Sequence, residues 1–275
     1  DAEMDILVGG PLARRAEDLA ATLDIIAGAD PEAPGAWRLD LPDEPRTRLR
    51  DFRIAVITND AAYPVDNDTS AALENAAKHL EDEGATVIRD PEMPMPSDAL
   101  WLLYLTVLRG ATSGRLSDEQ AAEIAEKAAG FSAGDKSYDP VQFRSLSQRH
   151  QAWLHACDRR EKLRSLWRSF FGNVDALLTP MMATAAFPHM RDLKRQDQYL
   201  DVDGTQRPNA DTYYWIGLAS AAHLPSTLAP AGMSKDGLPI GMQIIGPEAH
   251  DRRCIRLAEL LEESFRGFTP PPGYD

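Results

Sequence analysis

Cysteine is scarce in this chain: 275 residues hold only Cys157 and Cys254, too few for a disulfide framework. Both fall in stretches with helical spacing, so they read as buried free thiols of a reducing compartment, and the expected location is cytoplasmic. Positive charge is also short. Lys and Arg number 29 against 43 Asp and Glu, and the net charge of −14 repels polyphosphate and excludes nonspecific nucleic-acid binding. No apolar run approaches the roughly 18 residues of a membrane span, and none is expected to meet a membrane. The acidic start Asp1-Ala2-Glu3-Met4-Asp5 has no apolar core of a secretory signal. Neither G-x-G-x-x-G nor a P-loop follows any candidate strand, and His150 and His155, five apart, do not share a helix face. No cofactor and no metal is expected. The composition that remains, 43% hydrophobic and 26% charged, is that of an ordinary soluble globular chain.

The most informative stretch lies near the C-terminus. Leu224-Pro225-Ser226-Thr227-Leu228-Ala229-Pro230 and Gly237-Leu238-Pro239-Ile240-Gly241-Met242-Gln243-Ile244-Ile245-Gly246 are two short apolar runs around a polar spacer with two glycines. The spacer suits a reversal between strands. Ile240, Met242, Ile244 and Ile245 occupy both parities, as in a strand buried on both faces. Two central strands joined by a turn are expected, with prolines at their starts, where a missing N–H costs least.

Upstream, Leu12 to Ala27 recurs at helical spacing up to Gly28, and a proline-rich connection follows in which Trp37 is expected to cap a core edge. Strand 53–57, a helix capped by Asp68-Thr69-Ser70 and ended by Gly84, and strand 85–88 form a β-α-β unit. Helices are expected at Trp101 to Leu108 and Leu116 to Ala129, then one long helix from Gln142 to Phe171 that packs Trp153 and Trp167 inward. Its basic residues, mixed with Glu161 and Asp158, read as a solvated face. A strand at 174–178 precedes a loop from Met181 to Asn209, whose charged middle reads as exposed. Helices at Asp211 to Ala222 and from Asp251 close the pattern. The fold class is α/β, a mixed sheet flanked by helices.

The motifs are more specific than the periodicity. L-P-x-T-x-A-P-x-G followed by D-G-L-P-I-G-x-Q-I-I-G-P resembles the C-terminal hallmark of the amidase signature family, serine amidohydrolases with a Ser–cis-Ser–Lys triad. It includes Pro225, Pro230, Gly237, Pro239, Gly241 and Gln243. Gly10-Pro11-Leu12-Ala13-Arg14 resembles the family's G-P-x-A-R segment, Ala176-Leu177-Leu178-Thr179-Pro180 its D-x-L-L-T-P strand end, and Asp251 through Leu261 its closing helix. The resemblance implies that residues 1–275 are the C-terminal part of a single amidase domain. It also implies that the loop after Thr179-Pro180 and the helix before Leu224 approach a small-molecule amide in the full enzyme. Met181, Met182, Tyr213, Tyr214 and Trp215 are therefore pocket candidates, beside the plainer reading that Met and aromatic residues simply fill a core. Glutamine-using members carry an acidic residue near Tyr213, and Tyr there leans toward a less polar amide.

Family members place the catalytic Lys and the Gly/Ser-rich nucleophile segment upstream of G-P-x-A-R, which here begins at residue 10. No such segment occurs elsewhere: Ser145 and Ser147 lie in a helix pattern, and Thr112-Ser113-Gly114 lacks surrounding glycines. No catalytic residue is assigned, and the chain alone is expected to be inactive. Apolar surface near Leu12 and the hairpin is expected to be covered by self-association or by the N-terminal half. Two alternatives remain: a non-catalytic subunit or degenerate paralogue that binds a partner or small amide, and an unrelated α/β binding domain.

Overall fold

The computed structural model describes residues 5–28, 35 and 38–274; Trp37 lies outside them. In chain order the helices are α1 (Ala16–Ile26), α2 (Asn67–Asp82), α3 (Ser97–Thr112), α4 (Asp118–Ala129), α5 (Tyr138–Leu146), α6 (His150–Phe170), α7 (Tyr213–Ser220) and α8 (Asp251–Ser264). The strands are β1 (Arg53–Val56), β2 (Thr86–Arg89), β3 (Ala176–Pro180), β4 (Tyr199–Val202), β5 (Thr205–Pro208), β6 (Ser226–Met233) and β7 (Pro239–Ile245). All five strands expected from the sequence lie in one sheet, ordered β2-β1-β3-β7-β6. β2, β1 and β3 are parallel, β7 adds antiparallel to β3, and β6 pairs antiparallel with β7. This is the mixed α/β architecture expected.

Side-chain alternation divides the core between the two faces of the sheet. Ile54, Val56, Ala176, Leu178, Met242 and Ile244 point to one face, where they meet Leu73, Ala76 and Leu80 of α2 and Leu257 and Leu261 of α8. Ala55, Leu177 and Ile245 point to the other, under α3, α6 and α7. α2 is capped not by the expected Asp68-Thr69-Ser70, which lie inside the helix, but by Asp66, which accepts from the Thr69 amide at 2.7 Å, and Gly84 after it takes a φ of 85° that disfavours a side chain.

Four further expectations are corrected. β6 is an edge strand rather than a central one: it pairs with β7, and Ser226, Leu228 and Pro230 are exposed. Second, Pro225 and Pro239 do stand at the strand starts, but β6 runs past the expected apolar run to Met233 and so holds Pro230 inside it. The Gly246 amide donates to the Pro225 carbonyl at 3.0 Å. The alternation of an antiparallel ladder then turns the Ser226 and Leu228 amides and the Pro230 carbonyl outward, so that proline costs no ladder bond there. Third, the long helix from Gln142 breaks at Ser147 to Arg149. Gln148 donates from Nε2 to the carbonyls of Ser145 (2.9 Å) and Thr106 (3.2 Å), and Arg149 is extended at φ −68°, ψ 152°. Trp167 is fully buried, while Trp153 is only partly so. Fourth, the loop between Met181 and Asn209 holds the β4–β5 hairpin. Its turn residues Asp203 (φ 51°) and Gly204 (φ 81°) are both left-handed, as a tight two-residue hairpin requires. Cys254 is buried and Cys157 half-buried, and both are free.

Candidate functional site

The chain leaves β1 toward β2 on one side and, through α3 to α6, reaches β3 on the other. The loops after β1 and β3 therefore diverge at the carboxyl ends of adjacent parallel strands, the place where open α/β sheets form ligand crevices. The two loops touch there, the Asp66 amide donating to the Ala183 carbonyl at 2.8 Å. Met181 and Met182, directly after β3, are half-buried. In the β1 loop, Asp60 Oδ1 accepts the amides of Ala62 (2.8 Å) and Tyr63 (3.0 Å). Its Oδ2 accepts the hydroxyls of Ser97 (2.6 Å) and Tyr214 (3.1 Å). Such a carboxylate, engaged on both oxygens, organises the loop.

α7 contributes the aromatic wall. Tyr214 is 1% exposed and Trp215 is 0% exposed. Tyr214 stacks on Tyr63 at 4.6 Å between ring centres, and burial pushes both phenols well above the ordinary value, with Asp98 adding to it at Tyr63. Beneath Trp215 runs a polar seam. Gln243 donates from Nε2 to Thr179 Oγ1 and to the Trp215 carbonyl, each at 3.2 Å, while its Oε1 accepts from Ser226 at 3.0 Å. One amide side chain thus joins β3, β6, β7 and α7, which explains a glutamine 3% exposed in a strand of aliphatics.

Tyr213 has different surroundings. Its half-buried ring stacks on Tyr138 (6.0 Å, 13°) and lies between the guanidinium groups of Arg109 (5.6 Å) and Arg195 (5.2 Å). Its hydroxyl accepts from Arg109 Nη2 at 3.5 Å and from Arg195 Nη2. Burial opposes ionisation of Tyr213, but the arginines outweigh it and its pKa falls below the ordinary value. Tyr104, buried nearby, rises to about 12.

A cavity of about 580 Å³ opens beside the crevice, between the β4–β5 hairpin, the β6–β7 turn and the start of α2. Its wall is acidic but internally engaged: Asp68 accepts the Lys235 amide (3.0 Å), Asp203 the Asn67 amide (2.9 Å) and Asp201 the Gly204 amide (2.7 Å). Among the described residues no His, Cys, Asp or Glu cluster could hold a metal ion.

Three serines meet candidate bases, a feature the sequence did not reveal; one of them, Ser137, donates to Asp135 at 2.6 Å. Ser97 bonds to Asp60, as above. Ser264, in the last turn of α8, lies 2.9 Å from His79 Nε2 of α2. Its hydroxyl also donates to the Leu260 carbonyl at 2.8 Å, so His79 is not left as acceptor of a free proton. Ser97, Ser137 and Ser264 stand at helix ends rather than in a glycine-rich loop of the kind that converges backbone donors on an oxyanion.

Residues 1–255 match the model of the Amidase family. The chain belongs to that family. A curated relative from Xanthobacter autotrophicus, one of the subunits of a Glutamyl-tRNA(Gln) amidotransferase, is 28% identical over 282 residues, covering 94% of this chain and 54% of the relative. The solved Glutamyl-tRNA(Gln) amidotransferase chain from Thermotoga maritima superposes with a TM-score of 0.68 at 20% identity, over 97% of this chain and 55% of that one. A chain of an inhibitor-bound vestigial protein complex, tied to the origins of an s-triazine catabolic enzyme, gives 0.69 at 22%, over 95% and 54%. At those identities the solved structures speak for the fold. The chain spans about half the length of the relatives it matches.

The amidase motif residues fall at the structural joints. Thr179 and Pro180 end β3 beside Gln243 and Met242. Gly241 faces Pro230 across the β6–β7 ladder, Gly237 makes the turn with φ 76°, and Pro239 opens β7. Pro225 receives the Gly246 amide. Toward the N-terminus, Asp5 is held by Arg160 (2.6 Å), and residues 7–10 that follow are exposed. Gly10 is exposed, Pro11 half-buried and Leu12 99% exposed, while Arg14 stacks on Phe268 at 5.0 Å.

Proposed function

We propose that the whole protein hydrolyses carboxylic acid amides through a Ser–cis-Ser–Lys mechanism, and that these 275 residues form the C-terminal part of one amidase domain, inactive alone. The observation that carries this reading is the mismatch in coverage: nearly all of this chain matches about half of an amidase. In this reading the family's lysine and Gly/Ser-rich segment belong to the half that this chain does not match. The chain supplies the sheet and one pocket wall, with Met181, Met182 and Tyr213 toward the amide and Tyr214 and Trp215 fixing them from behind. An amide held there has no activated nucleophile, and binding without one yields no turnover. The two free thiols favour a reducing compartment, the cytoplasm.

The test is a pair of assays on aryl and aliphatic amides, one with this chain and one with a version extended by its native upstream sequence. Turnover by the longer chain alone is expected. Turnover by the short chain, with a fluorophosphonate labelling Ser97, Ser137 or Ser264, would overturn the reading.

A second reading, a partner-binding protein without catalysis of its own, is favoured by the open edge of β6. There Leu228 is 50% and Met233 53% exposed beside unpaired backbone groups. The amidase reading requires the same edge to be covered, by the N-terminal half or by a second copy. Sedimentation of the chain as a monomer that binds no apolar dye would count against both occupants.

A further inference from the structure

We propose that Arg109 and Arg195, set against the stacked rings of Tyr213 and Tyr138, recognise a carboxylate on the substrate, so that the amide taken by this pocket carries an acidic substituent. The inference rests on the amide-pocket reading and narrows it to a substrate class.

The chain is strongly acidic, and several half-buried arginines have carboxylate partners, Arg46 with Glu44 and Asp175, Arg207 with Asp211, and Arg253 with Glu44, as does buried Arg160 with Asp5; half-buried Arg144 donates instead to the Ser132 and Asp135 carbonyls. Half-buried Arg109 and exposed Arg195 have neither arrangement and converge on one phenol. Neither joins an ion pair among the described residues. Their hydrogen bonds go to phenols instead. Arg109 Nη2 donates to Tyr138 (2.5 Å) and Tyr213 (3.5 Å), and Arg195 Nη2 donates to Tyr213. Arg109 Nε is buried without any partner.

Two guanidinium groups around one phenol oxygen repel each other, and a neutral phenol offers no compensating charge. The neighbouring carboxylates do not supply it. Asp139, beside Tyr138, is pushed above the usual carboxylate range by burial and then by Asp197, with no arginine offsetting either. A ligand carboxylate would complete the site. Guanidinium donors pair with both of its oxygens. Arg195 is exposed and approaches from solvent, while half-buried Arg109 approaches from α3, so a ligand enters between a solvent-facing and a packed cation. Tyr at position 213 is thus a platform for arginines rather than a mark of an apolar substrate.

Benzoate and its neutral isostere benzamide are the probes, titrated calorimetrically into the 275-residue chain at neutral pH. Benzoate is expected to bind at least tenfold more tightly than benzamide and to weaken with added salt. Arg195→Gln and Arg109→Gln should each reduce benzoate binding at least tenfold and leave benzamide unchanged; exposed Arg195 keeps the test valid if Arg109→Gln misfolds. Equal binding of the two probes overturns the carboxylate assignment and leaves the amide pocket standing, whereas binding of neither overturns both. A phenolate absorbance band at neutral pH that Tyr213→Phe abolishes also overturns it, because the arginines would already be neutralised.

Discussion

The two faces of the central sheet are built from different materials. The face under α2 and α8 is aliphatic and alanine-rich, with Phe52 the one aromatic in its buried cluster among the described residues. The face under α3, α6 and α7 buries tyrosines and tryptophans and carries the Gln243 seam and the Asp60 network. Aliphatic packing is indifferent to direction, so the first face can only stabilise. Hydroxyls, amides and arginines have fixed donor geometry, so the second can also select a ligand.

The largest effect expected is at Trp215 on the second face. Trp215→Ala should cost about 3–5 kcal/mol in denaturant unfolding and also weaken benzoate binding, because the cavity left behind lies in α7, the helix that carries Tyr213. Leu73→Ala on the first face should cost about 2–5 kcal/mol, while chain that remains folded keeps its benzoate affinity. A Leu73→Ala protein that is folded yet has lost the ligand would break the distinction between faces. Gln243→Leu sharpens it: it preserves volume but deletes the bonds to Thr179, the Trp215 carbonyl and Ser226, for an expected loss of about 0.5–1.5 kcal/mol per bond. Tyr214→Phe deletes one bond to Asp60 and should cost about 0.5–1.5 kcal/mol by the same measurement.

A pH titration probes the first face at its rim. Burial alone would raise Glu44, but bonds from Arg46 (2.7 Å) and Arg253 on α8 (2.8 Å) outweigh it and lower its pKa from 4.5 to about 2. A carboxylate depressed in the folded state stabilises fully above its unfolded value, and that stability disappears as pH falls through the folded value. Thermal unfolding between pH 4.5 and 2 should therefore lose stability more steeply in the parent than in Glu44→Gln.

What the sequence made legible follows from range. Strands of aliphatics and helices with local caps announce themselves within a few residues, and those at Arg53, Thr86, Ala176, Ser226 and Pro239 do so. The β4–β5 hairpin had its signal too, Asp203-Gly204 just after Leu200 and Val202, masked by the charges around it. The break at Ser147 had none, since no Gly or Pro marks it and the cause is a side-chain bond from Gln148 to α3. Tyr213 was visible as part of an aromatic cluster. Its partners were not: Arg109 and Arg195 belong to distant segments that only the folded topology brings to one ring.

The sheet has two edges, and they are guarded unequally. At β2, Arg89 is clasped by Glu74 and Glu81, so a foreign strand would have to approach fixed charges. At β6 the guard is Pro230, which presents a carbonyl but no N–H to an incoming strand. An approaching chain can register against Ser226 and Leu228 and then meets an interruption and the bulge before Gly232. Such an edge admits a partner that pauses at one position and penalises indiscriminate stacking, so the proline acts as a filter on growth of the sheet.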